Sequence, residues 1–210
     1  MIEPIGRSDE LQIIGVYADP APSFRGMFNF ALGLVIRAFY ALRRKRGYHR
    51  EGRYSHLFIR RGQWLGESGA RSGWTTSENG LARYDPRAVP GTVCEAFRVP
   101  ADRSQDEAVV EAAYTLAERG AGYDLAGGIW IAADELGLGS LVPHHGPEYP
   151  AVKCSVAVAL CYLAAGIDLA HEAQTDFWRF APADLSALRA AGSAEYRGTL
   201  TWPVGGRSSG

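Results

Sequence analysis

The chain has 210 residues, a hydrophobic content of 47% and a formal net charge of −1. This length and composition suit one packed domain, and the balanced charge excludes nucleic-acid binding through bulk electrostatic attraction. Three cysteines, Cys94, Cys154 and Cys161, cannot all pair with one another and lack the spacing of zinc ligands. We therefore expect no disulfide framework, no metal and no cofactor.

The pattern of apolar residues and turn formers predicts a single α+β domain over residues 1–204, followed by a disordered tail at 205–210. In the first half, β-rich runs that end at turn formers indicate strands. A helix between them is apolar first and basic at its end. The predicted elements are, in chain order, a strand at 11–17, a helix at 28–46, hairpin strands at 54–59 and 63–68 around Arg61 and Gly62, and another strand of the same sheet at 92–99.

In the second half, Ser104 and Glu107 have the spacing of a capping box, which predicts a helix that runs to Arg119 and ends at Gly120. A glycine-, proline- and histidine-rich loop precedes the helix that begins at Cys154. The further predicted elements are a helix at 123–136, the loop at 137–150, helices at 154–165 and 182–189, and a last strand at 196–202.

The basic end of the 28–46 helix consists of Arg43, Arg44, Lys45 and Arg46. Its apolar part is interrupted by Arg37 and is far shorter than the ~20 residues that a membrane span needs. A core helix with a solvated basic end is the favoured interpretation, and contact with an anionic membrane or another polyanion is the alternative. Residues 1–6 do not resemble a signal peptide, so we expect a cytoplasmic protein, or one delivered by another route such as a virion.

Cys154 occupies the first turn of an apolar helix that stops at Gly166. A helix N-terminus carries partial positive charge and free N–H groups, which lower the pKa of a thiol and favour the nucleophilic thiolate. Cys161 lies about two turns further along the same helix face, and Cys94 lies within an alternating strand. Both fit small core residues, and that is also the alternative interpretation of Cys154.

The hairpin predicts a partner for this thiol. If Arg61 and Gly62 form a two-residue turn, antiparallel pairing sets His56 directly opposite Glu67. The carboxylate would then orient the imidazole and leave its other nitrogen for a thiol. Arg61 suits such a turn poorly, and a bulge would place Glu67 diagonally to His56. The alternative is an ordinary pair on the sheet surface.

The order and spacing of these segments resemble the circularly permuted papain-like cysteine hydrolases of the NlpC-type superfamily, including small members from phages and prophages. The resemblance covers roughly residues 30–190. It rests on the histidine strand at 54–59, Glu67 in Gly-Glu-Ser, Tyr123-Asp124, and Cys154 in Lys-Cys-Ser. The chain departs from the family at Val156, where members usually have an acidic or polar residue.

The resemblance implies a papain-like antiparallel sheet packed against the cysteine helix, with Cys154 as nucleophile, His56 as base and acid, and Glu67 as orienting residue. The implied reaction is hydrolysis of a peptide or cell-wall peptide amide through a thioester. Acyl transfer or lipid-ester hydrolysis at the same site, and a non-catalytic phage or bacterial protein, are the alternatives. The backbone N–H of Cys154 is the first candidate oxyanion donor. Candidates for a second oxyanion donor are Tyr54, Tyr123 and Tyr149. The edge of the active-site cleft is expected to include His144 and His145, and a substrate groove to include Arg71, Trp74 and Arg83.

Overall fold

A computed structural model describes residues 10–17, 54–69, 73–78, 93–124, 127, 130 and 151–201. Within these residues the protein is a mixed α+β structure with an antiparallel sheet. The predicted helix at 28–46, the loop at 137–150 and the tail at 205–210 lie outside the described residues, as does most of the predicted helix at 123–136.

Among the described elements, strands predominate in the first half of the chain and helices in the second half. The strands are β1 (Leu11–Tyr17), β2 (Tyr54–Arg61), β3 (Trp64–Gly69), β4 (Gly73–Ser77), β5 (Val93–Arg98), β6 (Gly122–Tyr123), β7 (Ala151–Val152) and β8 (Glu195–Thr201). The helices are α1 (Arg103–Glu118), α2 (Cys154–Ala164), α3 (Leu169–Glu172) and α4 (Asp184–Ala191), with a 3₁₀ turn at Phe177–Arg179. Among the described residues, no helix is both long and apolar enough to span a bilayer.

Six of the described strands form one antiparallel sheet in the order β4-β3-β2-β1-β5-β8. Alternate residues of its strands belong to two separate buried clusters, as the period of two requires. Ile13, Leu57 and Ile59 pack with α1 and α2 in the main core, whereas Ile14 and Phe58 belong to the smaller cluster on the opposite face. The predicted antiparallel sheet is therefore confirmed, and its central strands carry buried side chains on both faces.

Helix α1 begins two residues earlier than its sequence pattern indicates. The N-cap is Asp102, whose carboxylate accepts from the N–H of Gln105 at 2.9 Å, while the Gln105 side chain accepts from the N–H of Asp102 at 3.0 Å. This reciprocal pair is a capping box. The capping box predicted from Ser104 and Glu107 is thus wrong, because Asp102 supplies the same oxygen two residues upstream.

The β2–β3 hairpin has a different register from the predicted one. Arg61 pairs with Trp64 and Ile59 with Gly66, so the turn residues are Gly62 and Gln63. Gly62 has a φ of 60°, which places glycine at the turn position that needs a positive angle. Compared with the prediction, every partner is shifted by two residues. A shift of two preserves the face of each side chain, whereas a shift of one would reverse it.

The sequence pattern does not predict strand β4, which contains Trp74 and explains why this residue is buried. This side chain is buried, and its indole N–H donates to the carbonyl of Ala113 in α1 at 2.8 Å. The backbone N–H of Trp74 donates to the carbonyl of Ala121 at 2.7 Å. Trp74 is therefore a core residue that fixes β4 to α1, and its predicted place in a substrate groove is wrong.

A buried ion pair joins the sheet to the start of α1. The Arg98 guanidinium lies 2.6 Å from the carboxylate of Asp106 and 3.7 Å from that of Glu10, and it also donates to the carbonyls of Leu11 and Ala101. The side chains of Arg98 and Asp106 are only 10% and 12% exposed. Charges this far from water are tolerated only when each is paired and hydrogen-bonded.

Replacement of Arg98 by Met should lower the free energy of unfolding by about 3–5 kcal/mol, because Asp106 would remain buried without its partner. Urea unfolding followed by circular dichroism measures this loss. Arg61→Met is the matched control, because Arg61 contacts the next carboxylate of α1, Glu107, at 3.0 Å in an exposed pair. If the two variants lost equal free energy of unfolding, burial of the Arg98–Asp106 pair would not be the cause of the loss.

Candidate active site

Cys154 is the first residue of α2, an apolar helix that is buried along most of its length. The preceding residue, Lys153, is extended, with φ of −71° and ψ of 153°, and so turns the chain into the helix. The helix packs against β2 and α1, which holds its N-terminus against the sheet. Cys154 is 4% exposed, and the N–H of Ser155 hydrogen-bonds its sulfur.

His56 reaches Cys154 at the place where two strands separate. The ladder between β2 and β3 covers the three pairs from Arg61 with Trp64 to Ile59 with Gly66. Beyond it, the N–H of Leu57 donates to the sulfur of Cys154, and the imidazole of His56 is hydrogen-bonded to the same sulfur. The thiol and the imidazole are therefore brought together as predicted, although they lie far apart in the chain.

The two groups favour each other's charged form. Burial alone would raise the pKa of Cys154, but the charge and hydrogen bond of His56 and the N–H groups of Leu57 and Ser155 outweigh it, so the pKa lies below its ordinary value. Burial likewise acts to lower the pKa of His56, but Cys154 and, to a lesser extent, Glu67 raise it above its ordinary value. Both shifts favour a thiolate–imidazolium pair over a neutral thiol and imidazole.

Glu67 lies beside His56 but makes a weak contact with it. Nε2 of His56 is 3.9 Å from Oε2 of Glu67, which is within ion-pair range and beyond hydrogen-bond range. The two side chains are 22% and 33% exposed. Burial raises the pKa of Glu67, and the charge of His56 opposes this only in part. The revised hairpin register explains the distance, because His56 and Glu67 are on one face without being directly opposed.

Tyr123 is the second side chain, after His56, that is hydrogen-bonded to the sulfur of Cys154. Its strand, β6, pairs in parallel with β7, so Tyr123 lies beside Val152, two residues before Cys154. Burial raises the pKa of Tyr123, and the charge of Cys154 and a hydrogen bond to it add to this effect, which leaves the phenol protonated as a donor. The predicted start of a helix at residue 123 is wrong, because this residue belongs to a strand.

Asp124 anchors the segment that presents Tyr123. Its N–H donates to the carbonyl of Val152 at 3.2 Å, and its carboxylate accepts from the N–H of Gly127 at 2.7 Å. A Cβ atom on Gly127 would lie 1.9 Å from that carboxylate, so only glycine allows the approach. The Tyr-Asp dipeptide is thus held on both sides, which fixes the phenol near Cys154.

Several other predicted residues lie away from the site. Tyr54 donates its hydroxyl to the buried carboxylate of Glu95, so its predicted role as an oxyanion donor is wrong. Cys94 and Cys161 are buried core residues, as predicted, and burial raises the pKa of both, that of Cys94 to about 12. Residues outside the described part of the chain are Arg43, Arg44, Lys45, Arg46, Arg71, Arg83, His144, His145 and Tyr149.

A separate cavity of about 740 Å³ lies between α1 and α2. Its lining includes Leu116, Leu160 and Trp178, and none of Cys154, His56 or Glu67 contributes to it. Within the described ranges, no group of three histidine, cysteine, aspartate or glutamate side chains is arranged to hold a metal ion. Among the described residues, the pair of Cys154 and His56 is therefore the arrangement that indicates a chemical function.

Sequence reasoning missed two contributors to the site. The N–H of Leu57 carries no residue-type signal, because any residue supplies that group. In the sequence, Ser155 is notable only as part of the Lys-Cys-Ser motif. Its buried hydroxyl, however, donates to the carbonyl of Phe180 at 2.7 Å and anchors the first turn of α2. A polar residue within an otherwise apolar helix was the available signal for this anchor.

Cys154 should react with iodoacetamide at a pH below the free-thiol pKa of about 8.5, because His56 and the N–H donors keep it ionised. Peptide mass spectrometry of samples labelled over a pH series measures its rate separately from those of Cys94 and Cys161, which should label slowly. In His56→Ala the reaction should slow, and its dependence on pH should move towards that of an ordinary thiol. Identical profiles in the native protein and His56→Ala would contradict the ion pair.

The chain was compared with protein-family models, with curated proteins and with solved structures. None of these three comparisons found a match. The contacts of Cys154, His56, Glu67 and Tyr123 therefore carry the chemistry of the site.

Proposed function

We propose that the protein is a thiol-dependent hydrolase that cleaves an amide bond in a peptide or cell-wall peptide. The observation that carries the proposal is the hydrogen-bonded pair of Cys154 and His56 at the N-terminus of α2. Among three buried thiols, only Cys154 has its pKa lowered, whereas burial raises the pKa of Cys94 and Cys161. This contrast favours a nucleophile over a cysteine kept for packing.

The reaction follows from the positions of these groups. The thiolate of Cys154 attacks the carbonyl carbon, and His56 gives its proton to the departing amine, which leaves a thioester on Cys154. Water then attacks the thioester, and His56 takes a proton from it. The carbon–sulfur bond breaks, the carboxylic acid leaves, and the thiolate–imidazolium pair forms again.

Two donors serve the negative charge of the tetrahedral intermediates. The N–H of Cys154, at the start of α2, is the first, because helix-start amides lack partners within the helix. The hydroxyl of Tyr123 is the second, since it is protonated and already hydrogen-bonded at the sulfur. Glu67, at 3.9 Å, supports the imidazolium through its charge and acts as the orienting residue.

The chain order supports a permuted papain-like hydrolase. The histidine strand β2 precedes the cysteine helix α2 in the chain. Strand β2 belongs to the antiparallel sheet, and α2 packs against it in the same core. This is the order expected for the permuted branch of the NlpC-type superfamily. The alternative function, acyl transfer, depends on the predicted basic helix at 28–46, and this segment lies outside the described residues.

Cys154→Ser should abolish hydrolysis while the fold is retained, because a serine hydroxyl has no comparable tendency to ionise beside His56. The test uses p-nitrophenyl acetate and a panel of peptide p-nitroanilides. Release of p-nitrophenol or p-nitroaniline and an acetyl adduct on the Cys154 peptide are the readouts. Cys161→Ala, in the same helix, is the matched control and should retain activity. Equal turnover in native protein and Cys154→Ser would exclude the proposed nucleophile.

Tyr123→Phe should lower kcat about a hundredfold with little change in KM, because removal of one oxyanion donor destabilises the transition state and not the bound substrate. Steady-state kinetics on the best substrate of the panel measure this change. Tyr54→Phe removes a hydroxyl that is bonded to Glu95, so it should affect stability and leave kcat unchanged. A kcat for Tyr123→Phe within twofold of the native value would exclude the donor role.

A further inference from the structure

Two side chains of opposite charge line the cavity between α1 and α2. Glu111 lies in α1 and Arg119 is the C-cap residue of that helix, and both residues are exposed. Within the described ranges neither side chain makes an ion pair, whereas Glu107, one turn before Glu111, lies 3.0 Å from Arg61. Charges at the edge of a concave surface direct the orientation in which a partner docks.

The wall of the cavity between these two charges is made of small and apolar side chains. Ala108, Ala112 and Thr115 belong to α1, and Leu116 and Leu160 add larger apolar surface from α1 and α2. Two helix axes approach to about 8–10 Å, and the smaller side chains at the contact allow the closer approach. The cavity therefore offers an apolar contact to a second helix beside α1.

An exposed leucine adjoins the cavity. The described residues expose two large hydrophobic side chains, Leu163 and Tyr196, at 43% and 41%. The ring of Tyr196 is covered by the guanidinium of Arg189, 5.0 Å from its centroid. Leu163 lies in α2 between Leu160 and Ala164, both of which line the cavity. Leu163 therefore extends the apolar surface of the cavity, and extended apolar surfaces mark sites of association.

We propose that this cavity is a dimer interface, in which the α1 helices of two copies of the chain pack antiparallel about a twofold axis at Thr115. Thr115 is the midpoint between Glu111 and Arg119, which lie about 12 Å apart along the helix at about 1.5 Å per residue. A twofold interface joins one surface to itself. Glu111 of each copy therefore faces Arg119 of the other, at both ends of the contact.

The charge pattern favours a second copy of the chain as the occupant, because it is complementary to itself. Antiparallel helices form two Glu111–Arg119 contacts, whereas parallel helices would set like charges against each other. Burial of the apolar lining and of Leu163 supplies the affinity, and the charges select the direction. The lining includes none of the three proposed catalytic residues, so this inference is independent of the proposed function.

Sedimentation velocity of the full chain, at concentrations up to about 100 μM, tests the dimer, because specific interfaces have Kd values from micromolar to picomolar. Native protein should dimerise. Glu111→Arg and Arg119→Glu should each raise Kd at least about tenfold, since each variant would place two pairs of like charges in its own dimer. An equimolar mixture of the two variants should restore the dimer, because the facing charges are then opposite again.

The matched control is Arg103→Glu, which reverses a charge of the same helix at a side chain that is 91% exposed and does not line the cavity. It should leave Kd unchanged. Leu163→Gln removes exposed apolar surface without changing a charge, and it should raise Kd at least about threefold. Circular dichroism establishes that each variant is folded, and if a charge variant is not, Leu163→Gln and Arg103→Glu decide the test.

Three results would overturn the inference. They are a native protein that is monomeric at every concentration, equal Kd values in native protein and the folded Glu111 and Arg119 variants, and a mixture of these variants that stays monomeric. If Leu163→Gln and Arg103→Glu decide the test, equal Kd values in these two variants would overturn it. A monomeric native protein would leave the cavity to another occupant, such as an apolar peptide.

Discussion

The attraction between the Cys154 thiolate and the His56 imidazolium is the interaction on which the interpretation of this molecule depends. Burial opposes the charge on each group separately, as the raised pKa values of Cys94 and Cys161 illustrate for thiols in the same protein. Together, the two charges compensate each other, and N–H donors from Leu57 and Ser155 add to the stabilisation of the sulfur. The pair is therefore an arrangement that only a precise tertiary structure can maintain.

That precision comes from contacts between distant segments of the chain. The β2–β3 ladder does not extend to the residues before Ile59, where the N–H of Leu57 donates to the sulfur. The β6–β7 pair brings Tyr123 beside the start of α2. The carbonyls of Trp178 and Phe180 hold the residues on either side of Cys154. Cys154, the proposed nucleophile, is thus fixed from several directions by backbone groups, which favours a preorganised site.

Two positively charged side chains, those of Arg98 and Lys153, are held in this fold by different kinds of contact. Arg98 meets Asp106 and two carbonyls directly, so its charge is compensated within hydrogen-bond distance. Lys153 meets a carbonyl, occupies the unfavourable end of a helix, and experiences its acidic neighbours through space. The first arrangement joins the sheet to α1. The second holds Lys153 against the turn that follows α3.

The sequence by itself predicted the antiparallel sheet, the helix at Cys154, the core positions of Cys94 and Cys161, and the shared face of His56 and Glu67. These features follow from local periodicity, helix signals and the alternation of side chains along strands, all of which are properties of short segments. The predicted partners within the hairpin were wrong by two residues because Gly62, and not Arg61, begins the turn. The error preserved the face because a strand repeats every two residues.

Only the tertiary structure decided which polar groups meet Cys154. In the sequence, Tyr54 and Tyr123 are equally good candidates for the oxyanion donor. In the structure, Tyr54 donates to Glu95, whereas Tyr123 is hydrogen-bonded to Cys154. Trp74 belongs to the core because β4 pairs with β3, and Lys153 folds onto the turn after α3. Contacts of this kind join residues that are far apart in the chain, and no local pattern encodes the direction in which a side chain meets a distant backbone group.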